Sequence, residues 1–128
     1  MIIKGVGIDI IEVERISRAV SRYPEGFQRR VFTSREWEYC CRGGEINYPS
    51  LAARFAGKEA VLKALGCGWP EIPWQEIEIL KEEEDPPAVH LGLLARAKAR
   101  EKGIISVLIS LSHTKSYAVA QALAQGEE

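Results

Sequence analysis

Three short strings of this chain hold residue types that chemistry would need: carboxylates, amines and an imidazole. The first is Arg54-Phe55-Ala56-Gly57-Lys58-Glu59-Ala60-Val61-Leu62-Lys63-Ala64-Leu65-Gly66. At about 100° per residue of helix, Glu59 shares a face with Phe55, Leu62 and Gly66, and Lys63 lies beside it. A carboxylate among apolar neighbours loses solvation and needs a cation, hydrogen bonds or a proton. Spacing alone leaves two readings, an i,i+4 ion pair on a half-exposed face or a carboxylate and amine placed for reaction. The second string, Val6-Gly7-Ile8-Asp9-Ile10-Ile11, sets one acid in an apolar run where a strand is expected to give way to a helix. Asp9 there suits a helix cap as well as a ligand. The third is the turn Ser112-His113-Thr114, where a lone histidine is either structural or a contact for substrate.

The elements that must position these residues follow from the pattern. Residues 2–8 alternate as a short strand, with Gly5 and Gly7 where another segment could approach the backbone. A helix is predicted over 11–21 with Val13, Ile16 and Val20 inward, ended by Pro24 and Gly26. Thr33-Ser34-Arg35-Glu36 is a capping box for a second helix to about 39, broken by Arg42-Gly43-Gly44. The long helix is expected over 50–65, closed by Gly66 and the loop 66–70. Beyond it come a strand over 76–80, a solvated acidic turn over 82–87 and a returning strand over 89–91. A helix over 93–102 stops at Gly103, and two strands over 104–111 and 117–123 are joined by Ser112-His113-Thr114-Lys115-Ser116. The fold class is α+β, a mainly antiparallel sheet packed around one long central helix.

At 128 residues the chain is expected to be one domain, 1–128. No run reaches transmembrane length and the N-terminus lacks a signal-peptide pattern, so no membrane role is expected. Cys40, Cys41 and Cys67 match neither a zinc site nor a disulfide frame and read as free thiols in a reducing cytoplasm. Gly5-x-Gly7 tempts a dinucleotide reading, but Ile10 stands where the third glycine belongs and no parallel crossover follows. The net charge of −1 is not that of a nucleic-acid binder. Residues 1–35 are nonetheless basic, and Arg15, Arg18 and Arg22 recur opposite the buried stripe. Such a stripe is either a solvated face or a landing site for an acidic partner.

Taken in order, the three strings resemble the signatures of the holo-acyl-carrier-protein synthases, the short bacterial class of 4′-phosphopantetheinyl transferases. The N-terminal match extends over Gly5-Val6-Gly7-Ile8-Asp9-Ile10-Ile11-Glu12-Val13-Glu14-Arg15-Ile16, and the closing match is Ser110-Leu111-Ser112-His113-Thr114-Lys115. The resemblance implies transfer of the 4′-phosphopantetheine arm of coenzyme A to a serine of apo acyl carrier protein. The products would be holo carrier protein and 3′,5′-ADP, in lipid and fatty-acid biosynthesis. It implies a Mg²⁺ ion held by Asp9 and Glu59, with Lys63 as the third catalytic residue. Coenzyme A contacts are implied for Arg54, Lys63, Gly66, His113 and Thr114, at a cleft between subunits of a homotrimer. Carrier protein is implied to dock on the first helix, for which Arg15 and Arg22 are the firmer choices because Glu14 faces Arg18. Phe27 would add an apolar anchor.

Elementary chemistry agrees with the assignment. Mg²⁺ prefers oxygen ligands and usually takes one or two protein carboxylates, the rest being substrate phosphate and water. Mn²⁺ shares that preference. An amine one turn from a carboxylate can neutralise phosphate oxygens as charge moves to a leaving group. Thr114 stands where some relatives carry an acid, which leaves the general base open, with Glu59 preferred. Two other classes fit the same residues, a Mg²⁺-dependent phosphohydrolase of a coenzyme A-like pyrophosphate and a non-catalytic coenzyme A-binding module.

Overall fold

The structure, a computed structural model, describes residues 1–68 and 70–128; Trp69, in the loop expected to close the long helix, lies outside the described residues. In chain order the elements are β1 (Ile2–Glu12), α1 (Val13–Arg22), α2 (Gly26–Val31), α3 (Ser34–Cys40) and α4 (Tyr48–Leu65). A 3-10 turn (Trp74–Glu76) leads into β2 (Ile77–Leu80), β3 (Ala88–Leu91), α5 (Leu93–Glu101), β4 (Ile104–His113) and β5 (Tyr117–Gly126). The strands form an antiparallel sheet in the order β1-β5-β4 and a separate antiparallel pair, β2-β3. The α+β arrangement around one long helix is therefore as the sequence predicted.

The position of α4 follows from small side chains on both surfaces. Its alanines at 52, 53, 56, 60 and 64 are buried, and so are Ala118, Ala120, Ala122 and Ala124, the inward residues of β5. On β1 the inward positions include Gly5 and Gly7. A Cβ built on Gly5 would fall on the Ala64 carbonyl, and one on Gly7 on the Ala60 carbonyl. The helix thus lies against β1 with no side chain between the backbones. Buried residues surround α4 on every side, as expected of a core helix. Asn47 caps its start by accepting from the Ser50 amide, and Gly66 ends it with the left-handed φ of 71°.

One expectation needed correction, and one element was unforeseen. Strand β1 does not end at Ile8: pairing with β5 continues to Glu12, and Asp9 sits opposite Ala120 in mid-strand. Asp9 is therefore not a helix cap, and Glu12 takes the N-cap position of α1 without a side-chain cap bond. The reason is alternation, with Gly7, Asp9 and Ile11 toward α4 while Ile8 and Ile10 point outward, which suits a β-rich run. Residues 26–31, to which no element was assigned, form the short helix α2, so Phe27 is helical and half-buried. Other predictions held: Val13, Ile16 and Val20 are the buried stripe of α1, and the capping box at Thr33 and Glu36 is complete on both sides.

That box also reaches the core. Glu36 and Lys58 are both fully buried and pair at 2.7 Å. Lys58 Nζ also donates to the Ile77 carbonyl at 2.5 Å and the Trp74 carbonyl at 3.2 Å. Glu36 accepts from the Thr33 and Ile79 amides at 2.9 and 2.8 Å. Burial pushes the Lys58 ammonium down from its usual range, and the Glu36 carboxylate opposes that. With every partner supplied, the pair ties α3, α4 and β2 together.

Both β1 and β4 carry an irregularity opposite the end of β5, between Ile3 and Gly5 and between Ile104 and Ser106. The outer face of the sheet exposes Val6, Ile8, Ile10 and Leu108, each more than half accessible. Among the described residues no helix is long and apolar enough to cross a membrane. The backbone contact at Gly7 yields a direct test. Gly7→Ala should lower unfolding free energy by about 1–3 kcal/mol, the range for overpacking a filled interior. Urea unfolding at fixed protein concentration measures it, and Ser17→Ala on α1 serves as the control.

Candidate functional site

Asp9 projects from the helix-facing side of β1, two residues beyond Gly7, which meets Ala60 of α4. Lys63 Nζ donates to the Ile8 carbonyl at 2.8 Å and to Asp9 Oδ1 at 3.4 Å. The side chains of Lys63 and Asp9 are 57% and 22% accessible, so the bond is screened and easily exchanged. Glu59 lies one helical turn before Lys63 on the same side of α4. Its carboxylate accepts from the Trp74 indole at 3.3 Å. The i,i+4 pairing of Glu59 with Lys63 is thus replaced: Lys63 turns to the strand and Glu59 to the 3-10 turn. The close approach of α4 to β1 makes the strand carboxylate the nearer partner.

The donor set suits a hard divalent cation. Asp9 and Glu59 offer two carboxylates from rigid elements, each partly accessible, which is the usual protein share of a Mg²⁺ shell. The contacts just described engage one oxygen of each, and a carboxylate has lone pairs for further partners. Thiolate chemistry does not suit this molecule. The three cysteines are free, and burial pushes the thiols of Cys40, Cys41 and Cys67 up from their usual range, which keeps them protonated.

The remaining candidates fall into separate groups. Gly66 caps α4 just beyond Lys63, and Lys102 donates to the adjacent Leu65 carbonyl. Arg54 is nine residues before Lys63, about 13 Å back along the helix. It is 5% accessible, donates to Ser50 Oγ at 2.9 Å and lies over the Tyr39 ring at 4.6 Å. Its Nε has no partner among the described residues. An open cleft of about 490 Å³ lies alongside, lined in part by Tyr39, Arg42, Asn47 and Tyr48. His113 ends β4, exposed, two strands from β1 and so about 10 Å across the sheet. Thr114 shapes the turn after it, its Oγ1 accepting from the Ser116 and Tyr117 amides at 3.2 and 3.1 Å. The structure therefore joins Lys63 to Asp9, sets Glu59 one helical turn before Lys63 on the same side of α4 and Gly66 just beyond it, and leaves Arg54 and His113 in other parts of the fold.

The first helix presents its arginines to solvent. Arg18 pairs with Glu14 at 3.2 Å, as expected, and Arg22 lies 5.8 Å from the Tyr23 ring. The hairpin tip is tied to α1 by a 2.8 Å bond from the Val13 amide to the Ser116 carbonyl. Phe27 packs against Phe32 and Phe55 at 6.0 and 6.3 Å, and Phe55 against Trp74 at 5.8 Å. An aromatic row therefore runs from α2 to the indole that meets Glu59. Sequence reasoning missed Trp74, Lys58 and Glu36 as supports of the site. Glu36 was visible as a capping residue, and the only hint at Lys58 was a cation inside an apolar helix.

Known proteins resemble this chain along most of its length. The family model of the 4′-phosphopantetheinyl transferase superfamily matches residues 5–122. A holo-[acyl-carrier-protein] synthase of Moorella thermoacetica is 48% identical over 119 residues, covering 93% of this chain and 91% of its own. One from Alkaliphilus metalliredigens is 46% identical over 123 residues, 95% of this chain and 98% of that protein. Among solved structures, the holo-[acyl-carrier-protein] synthase of Neisseria meningitidis superposes with a TM-score of 0.86 at 30% identity, over 97% of this chain and 99% of that one. The Helicobacter pylori synthase in complex with coenzyme A gives 0.80 at 30% identity, over 94% and 99%.

Proposed function

The chain belongs to the 4′-phosphopantetheinyl transferase superfamily, in its holo-[acyl-carrier-protein] synthase branch, and from that premise we propose that Asp9, Glu59 and Lys63 are its catalytic centre. The enzyme transfers 4′-phosphopantetheine from coenzyme A to a serine of apo acyl carrier protein, releasing 3′,5′-ADP. The observation that carries the site assignment is the Lys63 contact to Asp9 Oδ1 at 3.4 Å, which joins the motif of α4 to the lone acid of β1.

Asp9 and Glu59 would hold Mg²⁺, which when bound would supply charge neutralisation to the pyrophosphate oxygens. The serine hydroxyl oxygen attacks the β-phosphorus, the bond to the bridging oxygen breaks, and the nucleotide leaves with that oxygen. Glu59 takes the hydroxyl proton, directly or through one water. Lys63 exchanges its exposed contact with Asp9 for a phosphate oxygen and offsets the charge gathering on the leaving group. Arg54, Gly66, His113 and Thr114 line the coenzyme A site.

Two observations support a homotrimer with sites between subunits. One chain leaves His113 two strands from β1 and turns Arg54 to Ser50 and Tyr39, and the outer sheet face around Ile8, Ile10 and Leu108 is an apolar patch of the kind that marks an interface. The exposed Arg15 and Arg22 form the docking face for a small acidic carrier in the cytoplasm, with half-buried Phe27 at its edge.

Mass spectrometry of apo carrier protein with enzyme, Mg²⁺ and coenzyme A tests the reaction, the expected product being carrier heavier by one phosphopantetheine. Free phosphopantetheine with unmodified carrier would instead mark hydrolysis. In the same assay Asp9→Asn and Glu59→Gln should each lower turnover by two to three orders of magnitude, for a ligand worth about 3–4 kcal/mol in the transition state. Near-normal turnover at limiting Mg²⁺ refutes the metal assignment.

Docking and chemistry separate in a second pair of variants. Lys63→Ala should depress turnover even at saturating carrier. Arg15→Glu should mainly raise the carrier KM, with the gap to wild type narrowing as salt rises. A salt-insensitive loss of turnover in Arg15→Glu at unchanged affinity defeats the docking face. Finally, mixing Asp9→Asn with His113→Ala chains should restore some activity if the two residues meet across subunits, and a fully active monomer in sedimentation would rule out the shared site.

A further inference from the structure

We propose that Trp74 is a positioning residue for Glu59: its indole N–H fixes the carboxylate so that the other oxygen faces the metal site. The inference rests on the reading of Glu59 as a metal ligand. Trp74 is held at two places by consecutive residues of α4. Its carbonyl accepts from Lys58 Nζ at 3.2 Å, while its indole donates to Glu59 Oε2 at 3.3 Å. Lys58 is immobilised by the buried Glu36 and by the Ile77 carbonyl, so the backbone at Trp74 is anchored to the core. The ring packs on Phe55, one turn before Glu59 on the same helix, which sets the direction of the N–H.

The chemistry of the donor matters. A glutamate on a partly exposed helix face has three freely rotating side-chain bonds, and a ligand left free must be ordered each time a cation binds. An indole donates one hydrogen bond and brings no charge, so it orients the carboxylate without neutralising it. A lysine or arginine at the same place would compete with the cation. Outer-shell donors of this kind tune affinity and geometry of the ligands they touch.

Trp74→Phe keeps an aromatic ring beside Phe55 and removes the N–H donor. Mn²⁺ binding, followed by electron paramagnetic resonance with saturating coenzyme A and no carrier, should weaken about tenfold. The Mg²⁺ concentration for half-maximal turnover should rise in parallel, with the coenzyme A KM unchanged. In a Glu59→Gln background the same substitution should cause no further loss, because the ligand it acts through is already altered. Wild-type Mn²⁺ affinity in Trp74→Phe, or an equal loss in the Glu59→Gln background, overturns the proposal while the metal assignment stands. Unchanged affinity in Glu59→Gln alone overturns the metal assignment itself. The unmutated indole gives an independent measure, since its N–H cross-peak in a ¹⁵N correlation spectrum should move when Glu59 becomes Gln. A stationary peak also overturns the proposal.

Discussion

The contact between α4 and the sheet, backbone against backbone at Gly5 and Gly7, is the constraint on which the rest of the structure depends. Alanines on α4 and on β5 extend the same close approach across the sheet. Small residues forgo apolar area per side chain but gain a dense, geometrically unique fit, because helix and strand have no alternative spacing at which their surfaces meet. Function inherits that uniqueness. A side chain on β1 and another on α4 are separated by a fixed interval, so Asp9 and the face bearing Glu59 and Lys63 share one rim.

A second constraint fixes the surroundings of that rim. Burying Glu36 and Lys58 removes two charges from water, at a cost that only full hydrogen bonding can offset. Here the ammonium has a carboxylate and two carbonyls, and the carboxylate has two amides as well. Such a pair adds little net stability over a hydrophobic one, but it penalises every arrangement that leaves one partner alone. It thereby selects the placement of α3 and of the 74–79 segment against α4. The segment that carries Trp74 to Glu59 is held by a group with no part in the reaction.

Much of this was readable from residue order, and the parts that were not share a cause. The long apolar helix, its left-handed Gly66 end, the capping box at Thr33 and the inward stripe of α1 are local signals, decided within a few residues. So were the two candidate carboxylates and the amine, since an acid in an apolar run stands out. Asp9 was misplaced as to element because Ile10 and Ile11 suit a strand or a helix, and only pairing with β5 chose the strand. The short helix α2 lacks a side-chain cap and has too few turns for a periodic signal. The links from Glu36 to Lys58 and from Trp74 to Glu59 span 22 and 15 residues, and no local pattern announces them.

The irregularities in β1 and β4 both face the last residues of β5, at the end of the sheet remote from Asp9. Such positions accommodate an extra residue by bending the strand, and the ladder beyond them resumes unchanged. Between Gly5 and Glu12 the pairing is unbroken, so that stretch has no slack. One residue inserted there would turn Asp9 from the helix to the outer face while moving Ile8 or Ile10 inward. Length variation in this chain is therefore admissible at one end of its sheet and forbidden at the other, a polarity imposed on its evolution by hydrogen-bond geometry before selection on any individual side chain.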